Sequence, residues 1–174
     1  MYLNSNRKNS LVLQHQICRG VVLTKSSVKI GSSLMMAMAV FAFVISLLWI
    51  TITEVMFVSD FLAYTGQSLS DALASGSKAA ELWLVTKRLW GIEMLATSIL
   101  MIFITSKSYA KGNKWSWYAL LVTGSIFWGG LIGYKVTIGY FQPTMSSMTF
   151  IVGAILFTVG LILPAKAILG KKST

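Results

Sequence analysis

Apolar residues gather in three runs that meet the roughly 17 to 25 residues a membrane-spanning helix needs. They are 34–58, broken only by Glu54; 115–134, with no charge; and 144–165, also uncharged. A fourth run, 89–106, is shorter and contains Glu93. This pattern predicts an all-α, integral membrane four-helix bundle over residues 31–170. A polar, basic tail precedes it (1–30), an external connection spans 59–88 and a basic end closes the chain (171–174). The basic tail comes before a run too long for a signal-peptide core, so the first span is expected to insert as a signal anchor.

Smaller features subdivide the chain. Residues 9–23 mix apolar and polar positions without a helical or strand period, and Gly20 interrupts them, which leaves attachment to the inner membrane surface, docking against a partner and disorder all open. Within the connection, Ser70 and Asp71 are candidate caps for a short helix, and 77–86 is expected to begin the second long helix. Trp83 and Trp90 then fall near the outer interface, where indole rings are favoured, and Trp115, Trp117 and Tyr118 anchor the inner one. Gly129 and Gly133 have the small-xxx-small spacing that lets helices approach closely. Packing inside the bundle is the first expectation for that pair, self-association the second. Gly153 and Gly160 lie seven apart on the last span as a second smooth face.

Composition agrees with the pattern. Of 174 residues, 55% are hydrophobic and 11% charged, and mean hydropathy is +0.71, too apolar for an ordinary soluble domain. Eleven of the 15 basic residues lie in the two tails and the 107–114 turn, while all five acids lie between or near the outer ends of the first two spans. The positive-inside rule then places both termini in the cytoplasm, with the protein multi-pass in the cytoplasmic (plasma) membrane. A net charge of +10 scattered over tails and a turn, without a stacking platform, fits anionic lipid headgroups and not nucleic acid.

Candidate chemistry centres on "KRLWGIEML", residues 87–95, where Lys87 and Arg88 open a span and Glu93 lies further in. An ionisable residue at that depth is a functional hypothesis by default. Depth counting brings Glu54, Arg88, Glu93 and Lys135 into one outer layer with Thr51, Thr53, Tyr134 and Tyr140. Glu93 is expected to face Lys135 or a neighbour's polar groups, and Arg88 to meet Glu54 or reach the headgroups. Three uses follow for the ligand or ion-pair candidates Glu54, Arg88, Glu93, Lys135 and Tyr134. They are structural ion pairs, a pocket for a small molecule, quinone or lipid headgroup, and proton-coupled transport, for which no polar file continues inward.

Cofactors and metals are not expected. The single histidine, His15, and the single cysteine, Cys18, lie in the tail with no second ligand pair. Met35, Met36 and Met38 read as core filler before they read as a soft-metal site. No Ser-His-Asp set, phosphate loop or HExxH motif occurs.

Arg88-x-x-Gly91 opening an apolar span, then a basic turn, then "KWSWYALL" resembles the small four-helix prokaryotic membrane proteins called DoxX-like, over residues 87–121. The glycine-rich first helix of that family has no counterpart here. The resemblance implies a four-helix bundle and a link to membrane redox complexes. Joined to the missing catalytic set, it leads to the expectation of a non-catalytic accessory subunit of a larger prokaryotic membrane complex, an oxidoreductase or monooxygenase assembly. Its partners would be other integral membrane subunits and anionic lipids, with homo-oligomerisation an option. The alternative is a small-molecule, quinone or lipid binder, or a proton-coupled transporter, using the outer charges.

Overall fold

The computed structural model describes the backbone of residues 3–137 and 145–170, with side chains from 25 to 137 and from 148 to 170. The side chains of His15, Cys18 and Met145, together with Tyr140 and the end 171–174, lie outside the described residues. Every element described is helical: α1 (Leu3–Thr51), α2 (Thr53–Thr65), α3 (Leu69–Ala74), α4 (Lys78–Lys107), a 3-10 turn (Tyr109–Lys111), α5 (Lys114–Thr137), α6 (Met145–Ile162) and α7 (Ala165–Leu169). Four helical stretches are long and apolar enough to cross a membrane: Lys25–Thr51, Lys78–Lys111, Lys114–Thr137 and Met148–Leu169. The aperiodic stretch 9–23 is the first part of α1, which contains no proline to stop it.

The first apolar run is not one straight span. It bends at Ile52, whose backbone leaves helical geometry at φ −123° and ψ 42°. Four β-branched residues in succession, Ile50, Thr51, Ile52 and Thr53, lower the local helix propensity. The Thr51 and Thr53 hydroxyls also donate to the carbonyls of Leu47 and Trp49, a back-bonding that bends helices. Backbone bonds from Ile52 N to Leu48 O and from Met56 N to Ile52 O persist across the bend, so the chain changes direction without unravelling. The short helix of the connection is α3, preceded by Ser68 at its cap position; Ser77 caps α4 by accepting from the Ala80 N–H.

Each helix buries a stripe. On α4 it is Ala80, Leu84, Lys87, Gly91, Met94, Ser98, Met101 and Thr105, the alternating four-and-three spacing of a supercoiled seam. On α5 it is Ser116, Leu120, Gly124, Trp128, Leu131 and Lys135. Helix α1 packs mainly on α4 and α6, and α5 mainly on α6. Gly91 admits Trp49 and Ile50 to the α4 backbone; a Cβ there would lie 2.9 Å from Ile50 Cγ1. Between α5 and α6 the fit is reciprocal, with Phe157 of α6 filling the space over Gly124 and Trp128 of α5 filling the space over Gly153. Gly160 faces α1, where a Cβ would stand 3.1 Å from Met35 N. Gly129 and Gly133 do not pack against the described part of the bundle. They lie off the α5 stripe, exposed, and among the described residues no heavy atom lies within 4 Å of where a Cβ would be.

Pro164 leaves a specific debt in α6. With no N–H, it cannot bond the Gly160 carbonyl one turn earlier, and such an orphan is costly in a medium without water. The fully buried Tyr109 donates its hydroxyl to Gly160 O at 2.8 Å. Trp117, expected as an interfacial anchor, donates Nε1 to Leu161 O at 3.0 Å. The 3-10 turn and the start of α5 are thereby fastened to the end of α6.

Candidate functional site

At the end of the bundle where α2, α4, α5 and the start of α6 meet, the buried stripes carry charge. Continuing past the bend, α2 buries Thr53, Met56, Phe57, Asp60 and Phe61. Asp60 is fully buried, and its Oδ1 accepts from Lys135 Nζ at 2.6 Å; Lys135 is 2% exposed. Tyr134 donates its hydroxyl to Asp60 Oδ2 at 3.4 Å. An ion pair so placed loses hydration on both partners and holds only through close geometry and further hydrogen bonds. Here it ties α2 to α5 across 75 residues of sequence.

Lys87 enters the same layer from α4, 2% exposed. Its ammonium lies 3.8 Å from the ring centroid of Tyr134, 3.9 Å from Trp90, 4.2 Å from Trp83 and 5.4 Å from Phe57. Rings present negative faces to a cation, and a desolvated contact of this kind is worth about 2 kcal/mol or more. Edge contacts hold the cage, with Trp90 against Tyr134 at 5.1 Å and Phe61 against Trp83 at 5.7 Å. Trp83 and Trp90, read from sequence as interfacial indoles, are walls of this cage. Among the described residues, Lys87 has no carboxylate within ion-pair distance.

The sequence candidates separate. Lys135 and Tyr134 belong to the clasp, but their acid is Asp60 and not Glu93. Glu54 is exposed on α2. Arg88 is exposed and donates Nε to Thr53 Oγ1 at 3.3 Å, so neither the Glu93–Lys135 nor the Arg88–Glu54 pairing forms. The cause is angular: Lys87 lies on the buried stripe of α4, whereas Arg88 and Glu93 lie off it. The Ile52 bend likewise turns Thr53 and Asp60 inward and leaves Glu54 outside.

Glu93 borders a cavity of about 280 Å³ between α4 and α5. Trp49, Met94 and Leu131 are buried at its base, and Trp90, Glu93 and Phe127 line its sides. Among the described residues Trp49 Nε1 is buried without a hydrogen-bond partner, as are the indole nitrogens of Trp83 and Trp128 away from this cavity. Among the described residues no three His, Cys, Asp or Glu side chains converge as metal ligands. Met35 and Met38 are core residues packed with Ala39 and Ala42.

If the clasp is structural, the charge of Lys87 is dispensable. Lys87→Met keeps the stem and removes the desolvated cation, and replacing buried ions by apolar groups is often neutral or stabilising. The melting temperature in detergent is expected to stay level or rise; a marked fall would show that the ammonium in its ring cage carries net stability. Comparison with protein-family models, with curated proteins and with solved structures gives no match.

Proposed function

We propose that this chain is a non-catalytic helical subunit of a larger prokaryotic membrane assembly, of the oxidoreductase or monooxygenase kind, whose metal-bearing chains are separate. The observation that carries the reading is the division of labour among its polar groups. Asp60, Lys87 and Lys135 are buried in a clasp that joins α2, α4 and α5. Outside that clasp, Gly129, Gly130 and Gly133 leave a bare strip of α5 open to a neighbouring helix, and close backbone approach is what drives association within lipid. The DoxX-like resemblance over residues 87–121 supports the redox setting. In this reading the chain lies in the plasma membrane with both termini cytoplasmic, and its basic ends meet anionic lipid.

Extraction in mild detergent followed by native mass measurement tests it. A stoichiometric assembly containing metal-bearing chains is the expected result. A species of one or two 19.1 kDa chains with nothing else attached would overturn it.

A second reading, binding of a small molecule, is favoured by one observation: the cavity beside Glu93, with a carboxylate at its side and an unsatisfied indole N–H on a residue at its base.

A further inference from the structure

We infer that the cavity between α4 and α5 takes a small lipophilic monocation, an amine or quaternary ammonium head carrying an apolar group, with Glu93 as its counter-charge. The inference deepens the second reading above and rests on it.

Charge comes first. Glu93 lies four residues past Leu89, inside the apolar run 89–106, where an ionisable side chain is a functional hypothesis by default. Such a carboxylate is usually found beside a cation. The chain's own nearby cations are committed elsewhere. Lys135 is bound to Asp60, Lys87 is enclosed by rings, and Arg88 is turned to Thr53. Among the described residues no cation pairs with Glu93, so a cation held in the cavity would be its counter-charge.

Wall chemistry points the same way. Trp49, Trp90 and Phe127 surround the space beside the carboxylate, and aromatic walls with one acid are the recognised means of holding an organic cation. Trp90 demonstrates the affinity within this protein, since its ring already carries the Lys87 ammonium at 3.9 Å. An anion would meet the Glu93 carboxylate. The Thr97 hydroxyl, which also lines the cavity, is engaged with the Glu93 backbone carbonyl at 2.9 Å, so it does not stand free to donate to a neutral carbonyl ligand.

Size selects among cations. About 280 Å³ is just below the roughly 300 to 1,000 Å³ range of ligand pockets, suited to one compact head and its apolar substituent.

The test uses the full chain in detergent, with tryptophan fluorescence as readout because Trp49 and Trp90 line the cavity. Benzyltrimethylammonium is titrated against neopentylbenzene, the neutral compound of the same shape. Wild type is expected to bind the cation saturably, one per chain and at least tenfold tighter than the neutral compound. Glu93→Gln, which keeps the shape of the side chain, should abolish that preference while eluting and melting as wild type does. Equal binding of the two compounds by wild type would overturn charge selection and leave the second reading standing; binding of neither would overturn both. A cation preference that survives Glu93→Gln places the charge recognition elsewhere and sinks the inference. So does a site open in the separated chain but closed in its native assembly, which would assign the cavity to a basic side chain of a neighbouring subunit.

Discussion

Asp60→Asn is expected to destabilise the bundle by about 3 to 5 kcal/mol, the cost of stranding one member of a buried ion pair. Asparagine keeps the shape and an acceptor for Lys135, so the loss isolates charge from volume. The effect falls at the upper end of that range because Lys87 shares the layer and has no carboxylate partner among the described residues. Removing the one buried acid leaves two ammonium groups among aromatic rings. A large drop in melting temperature, followed by fluorescence-detected size exclusion in detergent, is the expected observation. Adding Lys135→Met should restore much of it, because an apolar pair of similar volume is often as stable as the ions it replaces. Wild-type melting of the single variant would show that the pair contributes no net stability. Failure of Lys135→Met to rescue would show that Asp60 acts through its other contacts.

Gly153→Leu is expected to break the contact between α5 and α6. The space a Cβ would need is occupied by the ring of Trp128, itself 3% exposed, and overpacking a filled core costs about 1 to 3 kcal/mol or more. Leucine adds three further carbons to a Cβ that already collides, so the upper part of that range applies. A second substitution, Trp128→Val, returns the volume and should recover thermal stability. Gly129→Leu is the internal control. It adds the same side chain at a position with open space around it, and surface substitutions of that kind change stability by no more than about 0.5 kcal/mol. Equal damage from the two leucines would contradict the packing described here.

Much of the architecture was legible because membrane spans advertise themselves by length and hydropathy, which need no knowledge of neighbours. The clasp was less legible, for two physical reasons. Charges were placed by depth along the chain, and depth says nothing about angle. The stripe through Ala80, Leu84, Lys87, Gly91 and Met94 separates Lys87 from Arg88 and Glu93, and that signal lies in the sequence at heptad spacing. Asp60 could not be found in this way. It lies in what reads as an external connection, and its burial follows from the bend at Ile52, which rests on hydroxyl bonds to Leu47 and Trp49 instead of a proline or glycine. Trp83 and Trp90 carry the same ambiguity, since an indole near a span's end looks alike whether it meets headgroups or a lysine.

The 75 residues between Asp60 and Lys135 also set an order of events. In a chain made from its N-terminus, Asp60 and Lys87 reach the bilayer well before the last turn of α5 exists. Until then neither the Lys135 ammonium nor Tyr134, one ring of the Lys87 cage, is in place. Completion of α5 supplies the missing ammonium, so the charge pair closes only on a chain whose third span is fully inserted. A copy that lacks the end of α5 lacks both Lys135 and Tyr134, and with them the link between α2 and α5.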